Sequence, residues 1–405
     1  MKRKRTRNFI SAVLAALCIP SLAVPAQAAD DAESGTTLKF DENGEFRILI
    51  VADTQDTAKP QEAMLKLLNA SLDAAGPDLV VFTGDQVHGP SVRTEKAMEQ
   101  ALDAILSPVT ERGIPFAAIY GNHDDEGGVS KETQLAIYRS YPGCLMAAGE
   151  EMTGLGNYNL LVSSADGSHP VVNLWFIDSG TYYDGKESKY ARVEQDQIDW
   201  YTATEAELEE TYGTQIPAYL FQHIIFPEIY DMLTEVSAGE EKEDGVVEGF
   251  SSRSGHYYKL GDNFVSGHLG EAPCPTDLSS AEFETMCETG DIVAAFFGHD
   301  HVNDFAGSYN GMDIVNTSGI GFYIYGDGEY HGTRLIVLHE DAPTEYETEM
   351  LYYKDLVSDP LPGGIVATSG KYVQDLIILG VCAAVVLIGG GVFVGVRISR
   401  KKKKR

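Results

Sequence analysis

The chain has 405 residues, 43% of them hydrophobic, enough for one large domain or two small ones with a real core. Between its terminal segments, residues 30 to 375 carry 18 Lys and Arg against 61 Asp and Glu, a net charge of −43. A surface of that sign repels nucleic acid and other polyanions, which excludes docking on them through a basic face. Only three of the five cysteines, Cys144, Cys274 and Cys287, fall within this stretch, too few for a disulfide scaffold, although Cys274 and Cys287 are close enough in sequence to close a short loop.

In chain order, residues 1–29 open with Lys2, Arg3, Lys4, Arg5 and Arg7, continue through an apolar run from Phe9 to Val24 and close on Ala26-Gln27-Ala28. That is the layout of a secretory signal peptide. Residues 30–45 form a lead-in. From Phe46 onward, short apolar runs alternate with helix-like stretches. The runs are "FRILIVAD" (46–53), "DLVVFTGD" (78–85), "IPFAAIYGNHD" (114–124), "VVNLWFID" (171–178), "PAYLFQHI" (217–224), "DIVAAFFGHD" (291–300) and "MDIVNTSG" (312–319). Continuous Val, Ile and Phe runs read as strands buried on both faces. Helices are predicted over 61–74, 95–106, 131–139 and 194–211, the last carrying Ile198, Trp200, Tyr201 and Leu208 among acids. This alternation predicts an α/β layered domain with mixed sheets over 46–341.

Within that domain, residues 237–290 are rich in Gly, Ser, Glu and Asp and break the rhythm. A long insertion of this kind is expected to form a lid or rim over a site. The prolines and glycines of residues 342–375 suggest a stalk. Residues 376–396 then give 21 uncharged residues, about 31 Å of helix at about 1.5 Å per residue, which matches a bilayer core. The basic tail 397–405 is expected to stay in the cytoplasm, leaving the domain outside on a cell surface.

The polar residues that follow the strands carry the chemistry. Asp53 and Gln55 follow the first run, Asp85 ends the second, Asn122, His123 and Asp124 end the third, His223 ends the fifth, and His299 and His301 end the sixth. α/β sheets bind ligands beyond the carboxyl ends of their strands. One such Asp is usually a helix cap or turn residue, and one such His a structural hydrogen-bonder. A whole set of oxygen and imidazole donors at the ends of separate strands is better explained as a site for hard or borderline divalent metals, and metal-assisted hydrolysis is the chemistry such a set supports.

The ordered motifs Asp53-x-Gln55, "GDQV" with Asp85, "GNHDD" with Asn122 and His123, "FQHI" with His223, and "GHDH" with His299 and His301 resemble those of the calcineurin-like metallophosphoesterase superfamily, on the branch related to purple acid phosphatases and fungal Dcr2-type phosphatases. The resemblance implies a four-layer αββα sandwich with two mixed β-sheets. It also implies two metal ions, most readily Mn, Fe or Zn. Asp53, Gln55, Asp85 and His301 would hold one ion and Asp85, Asn122, His223 and His299 the other, with Asp85 bridging. His123 would protonate the leaving oxygen with Asp124 orienting it, and a hydroxide between the metals would attack. The expected activity is hydrolysis of a small phosphomonoester or phosphodiester, with no nucleic-acid polymer as partner. The alternative is a catalytically inactive surface binding protein on the same fold.

Two positions depart from the family pattern. Gln55 stands where a histidine is usual, which weakens the first metal site, and His88 stands where the purple branch has its tyrosine, which removes the ferric-tyrosinate colour. His88 is expected at the second layer or the surface. His256 and His268 are expected to be solvated loop residues, Asp300 to point away between its two histidines, and Asp56 to be a loop partner.

Overall fold

A computed structural model describes residues 37–362 except 238 and 240–242. The signal segment 1–29, the span 376–396 and the tail 397–405 lie outside these residues. Among the described residues no helix is long and apolar enough to cross a membrane.

The elements alternate as the sequence predicts. β1 (Glu45–Val51), α1 (Glu62–Ala75), β2 (Leu79–Thr83), α2 (Glu95–Thr110), β3 (Phe116–Ile119) and α3 (Lys131–Arg139) form the first half. β4 (Tyr158–Ser163), β5 (Pro170–Ile177), α4 (Gln195–Tyr212), β6 (Ala218–Gln222), α5 (Ile229–Met232) and β7 (Leu233–Glu235) follow. β8 (Val247–Glu248), β9 (Tyr257–Leu260), β10 (Phe264–Ser266), α6 (Glu282–Thr289) and β11 (Ile292–Phe297) come next. β12 (Ala306–Tyr309), β13 (Met312–Asn316), β14 (Gly332–His339), β15 (Tyr346–Tyr352) and α7 (Tyr353–Leu356) complete the chain.

Helix boundaries follow local chemistry. α1 buries Met64, Leu67, Leu68, Leu72 and Ala75 on one stripe and stops at Gly76, whose φ of 53° carries a left-handed cap. α4 starts on a reciprocal capping box between Glu194 and Gln197.

Two mixed sheets result. The first has the order β15-β14-β1-β2-β3, with β1, β2 and β3 parallel and β14 and β15 antiparallel. The second has the order β10-β12-β13-β11-β6-β5-β4, with β5, β6, β11 and β13 parallel at its centre. Strand alternation then builds the layers. Phe176, Phe221 and Phe296 point toward the first sheet and stack at 5.2 and 5.6 Å, in one core with α1, α2 and α3. Their neighbours Trp175, Leu220, Ala295 and Phe297 point the other way, onto Ile198, Trp200 and Tyr201 of α4 and Phe283 and Met286 of α6. The arrangement is helix, sheet, sheet, helix, as expected.

Two expectations need correction, the start of the stalk and the Cys274–Cys287 loop. The stalk does not begin at 342: β15 pairs with β14 from Tyr346 to Tyr352 as the sheet's edge, with Tyr346, Thr348, Met350 and Tyr352 on its half-buried face and Glu347 and Glu349 exposed on the other. Among the described residues of the insertion 237–290, β8 and β9 join β7 in a three-stranded sheet, β10 extends the second sheet and α6 covers its back. Cys144, Cys274 and Cys287 are all free thiols, so Cys274 and Cys287 close no loop.

Candidate metal centre

The carboxyl ends of β1, β2 and β3 meet those of β6 and β11 at one edge of the sandwich. The chain leaves the strands there through left-handed turns: Asp53, Gln55, Asp85 and His299 have φ of 51°, 32°, 52° and 70°. Each costs roughly 1–2 kcal/mol for a residue with a Cβ, and strain of this kind collects at functional sites. Gly84, at φ 94°, allows a close approach, since a Cβ there would lie 2.4 Å from His223 Nδ1.

Hydrogen bonds orient the donors. Asp85 Oδ1 accepts the His123 N–H at 2.7 Å, leaving Oδ2 toward His223 Nε2 at 3.3 Å. His223 Nδ1 donates to the Thr83 carbonyl at 2.8 Å, so its Nε2 faces inward, 3.2 Å from His299 Nδ1. His301 Nδ1 donates to the Tyr325 carbonyl at 3.1 Å and aims Nε2 at Asp53, 3.5 Å away. The Asn122 amide donates to the Tyr182 hydroxyl at 3.1 Å, which turns its oxygen into the site. Two buried groups are close enough to hold one ion each: Asp85, His223 and His299 form one, Asp53, Asp85 and His301 the other, each with donor atoms within 4.8 Å. Asp85 belongs to both.

The residues fit metal on an independent ground. Gln55 Oε1 and Nε2 and Asn122 Oδ1 are buried without a hydrogen-bond partner, and buried polar atoms of this kind are costly unless something occupies them. Burial resists a charge on His223, but the Asp85 carboxylate, then Asp53, outweighs it and raises the imidazole to about 10. Burial also acts to raise Asp85, and the charge and hydrogen bond of His223 hold it below the usual carboxylate range. At His299 and His301 burial prevails, holding the first well below its ordinary value and the second down to about 4, so both rings are neutral at neutral pH. Burial raises the Asp53 carboxyl well above the usual carboxylate range, and two buried aspartates among imidazoles are a donor set suited to a hard or borderline divalent cation.

Of the seven expected ligands, Asp53, Asp85, His223, His299 and His301 come together in these two groups; Gln55 borders the same cavity, and Asn122 is buried with its amide oxygen unpartnered. The role expected of Asp124 is corrected. Its carboxylate accepts from the backbone N–H groups of Gly121, Asp85, Gln86 and Val87 at 2.8 to 3.2 Å, clamping the two loops together, and its ring-orienting role falls to Glu126. Glu126 Oε2 lies 2.7 Å from His123 Nδ1, with the Tyr182 hydroxyl 3.4 Å from the same nitrogen. The turn after His123 carries Glu126 back against it, a spacing of three that the sequence does show.

The remaining candidates divide. A cavity of about 340 Å³ opens over the site, with His88 on its rim bonded to Ser91 Oγ at 2.8 Å. Asp300 does not point away as expected: it borders this cavity beside Glu271 and accepts the Cys274 N–H at 3.2 Å, because the chain turns directly after β11 instead of running on extended. His256 pairs with Glu235 on the surface, and His268 pairs with Asp304 outside the cavity. Asp56 accepts from Thr57 and Gln61 before α1, as a loop partner does. Tyr325 has no sequence signal at all; its ring stacks on His301 at 4.3 Å, and its hydroxyl donates to Glu271.

Hard oxygen and imidazole donors at the crest of an αββα sandwich, with one more histidine held beside them, form a site able to hold divalent metal ions. The sequence profile described as calcineurin-like phosphoesterase matches residues 46–303, and the chain belongs to that family, whose members generally bind two divalent metals. "Probable inactive purple acid phosphatase 14" of Arabidopsis thaliana is 28% identical over 80% of this chain and 83% of its own length. "Phosphatase DCR2" of Saccharomyces cerevisiae is 30% identical over 58% of this chain and 37% of its own length. A dimetal phosphatase from Danio rerio superposes with a TM-score of 0.45 at 13% identity, covering 76% of this chain and 99% of that one.

Proposed function

We propose that this protein is a dinuclear metal-dependent phosphoesterase acting outside the cell on a small phosphomonoester or phosphodiester. The observation that supports the proposal is the pair of buried groups, Asp85 with His223 and His299 and Asp53 with Asp85 and His301, that share Asp85. Asp53, Gln55, Asp85 and His301 would hold one cation, and Asp85, Asn122, His223 and His299 the other. Such cations supply Lewis acidity toward the phosphoryl oxygens and lower the pKa of water.

The chain's own residues do the rest. Glu126 fixes the His123 ring through Nδ1, which presents Nε2 to the cavity, where its proton passes to the departing oxygen. Thr83 and Tyr325 carbonyls set the tautomers of His223 and His301. Gln55 offers an amide where imidazole is usual, so that cation is held more weakly. The anionic face of residues 30–375 favours small substrates over polymers. A signal segment at 1–29 and an anchor at 376–396 would put the domain on a cell surface, and protease treatment of intact cells tests this by releasing it.

A second reading, an inactive binding protein, is favoured by Gln55 and by the word "inactive" in the name of the Arabidopsis relative. The deciding experiment strips the full chain of metal, restores Mn, Zn, Fe, Mg or Ca in turn, and follows one chromogenic phosphomonoester and one phosphodiester. Metal-dependent turnover that disappears in His123→Ala supports the enzyme. Stoichiometric metal uptake without turnover of either ester supports the binding protein.

A further inference from the structure

One wall of the cavity is aromatic and carries the cavity's permanent positive charge, features that metal binding does not require. It is built by a hairpin: Tyr182 and Tyr190 face each other across a β-bridge, with the Tyr183 N–H donating to the Lys189 carbonyl at 3.0 Å and the Ala191 N–H to the Thr181 carbonyl at 2.8 Å. Their rings stack at 5.7 Å, and Phe250 from the folded insertion extends the row, 5.9 Å from Tyr190 and tilted by 23°. Phe250 is set in place by its N–H, which donates to the Tyr230 hydroxyl at 2.9 Å. At the inner end the Tyr190 ring stands on the edge of His299, at 4.7 Å and 86°, so the row begins at the metal centre and leads outward.

Lys189 completes the wall. Its ammonium lies 4.7 Å from the centre of the Tyr190 ring and 5.6 Å from that of Phe250. It is the one Lys or Arg lining a cavity otherwise bordered by Asp85, Glu271 and Asp300, and among the described residues no carboxylate lies within ion-pair distance of it. In a domain with such an excess of acid, a lysine without a carboxylate partner beside a cation site is placed to receive an anion. The cavity's 340 Å³ is at the lower end of the roughly 300–1,000 Å³ typical of ligand pockets, room for a phosphate and one or two rings.

We infer that Phe250 and Lys189, with Tyr190 backing Phe250, form the leaving-group subsite, which takes a phosphomonoester of an aromatic alcohol, its ring lying against Phe250 and its phosphoryl oxygens facing Lys189. This rests on the phosphoesterase reading of the cavity. An aliphatic leaving group would leave the Phe250 ring in water, whereas a flat ring gains an offset-stacked partner.

Binding of two phosphonates that cannot be hydrolysed tests the subsite apart from turnover. Calorimetry on the Mn-loaded full chain should show phenylphosphonate bound about tenfold more tightly than methylphosphonate, the size of one aromatic contact. Phe250→Ala should reduce that ratio to about twofold while Phe250→Tyr preserves it. Lys189→Ala should weaken both ligands by a similar factor, and Lys189→Arg should restore them. Equal binding of the two phosphonates by the wild type, binding of neither, or an unchanged ratio in Phe250→Ala overturns the subsite. Selective phenylphosphonate binding by a chain that hydrolyses no ester keeps the subsite and defeats the enzyme reading instead.

Discussion

Replacing Glu126 with alanine separates two explanations of how His123 is held. The Glu126 carboxylate meets Nδ1 at 2.7 Å, and the two side chains are only 24% and 31% exposed, so solvent screens the contact only in part. Hydrogen bonds to a charged group contribute about 1.5–3 kcal/mol, and the partial exposure places this one near the lower end. A loss of about 1.5 kcal/mol felt only where His123 delivers its proton lowers kcat by roughly tenfold. A ring that swings freely adds to that, since a misplacement of about 1 Å can cost about a hundredfold. Initial rates on a chromogenic phosphomonoester, measured with bound metal and thermal midpoint, should therefore show Glu126→Ala losing ten- to a hundredfold in kcat with metal content and stability intact. Asp124→Asn should behave in the opposite way, since its carboxylate accepts four backbone N–H bonds that clamp the Asp85 and Asn122 loops. It should lose stability and metal together. Rates for Glu126→Ala within twofold of wild type, or an Asp124→Asn protein that loses turnover alone, would refute the reasoning.

Three further outcomes are expected. Gln55→His restores an imidazole donor and should tighten the weaker cation by about tenfold, read by competition with a chelating dye. Gly84→Ala places a methyl group 2.4 Å from His223 Nδ1 at a φ of 94°, so metal uptake should fall sharply and the thermal midpoint with it. His268, raised from 6.5 to about 9 by its hydrogen bond to Asp304 and then by Asp327, favours folding in its charged form. That contribution is complete below pH 6.5 and is lost as pH rises through about 9, so the urea midpoint should fall across this window and fall less in His268→Gln.

The ligand set was legible because parallel strands place all their carboxyl ends on one edge. A reader of the sequence needs only to see where each apolar run stops, as at Asp53, Asp85, Asn122, His223 and His299. What escaped lies where no period exists. Tyr325, Tyr190 and Phe250 sit in loops, and their neighbours are decided by tertiary packing alone. β15 was taken for a stalk because an edge strand with one solvent face reads as polar, and Pro343 and Pro360 flank it. Asp124 misled for a different reason: it adjoins His123 in sequence, yet its side chain turns under the loop while Glu126 comes round beside the ring.

The donors come from two sheets that the chain completes far apart, and the Asp53 carboxylate accepts the His299 N–H across 246 residues. No short segment of the polypeptide holds enough of them to capture a cation, so the pocket comes into being only when the two halves have closed on each other. A cation held there would therefore enter after the long-range step of folding has passed. It would work as a latch on a door already shut, leaving the rate of folding alone and slowing the rate at which the halves part.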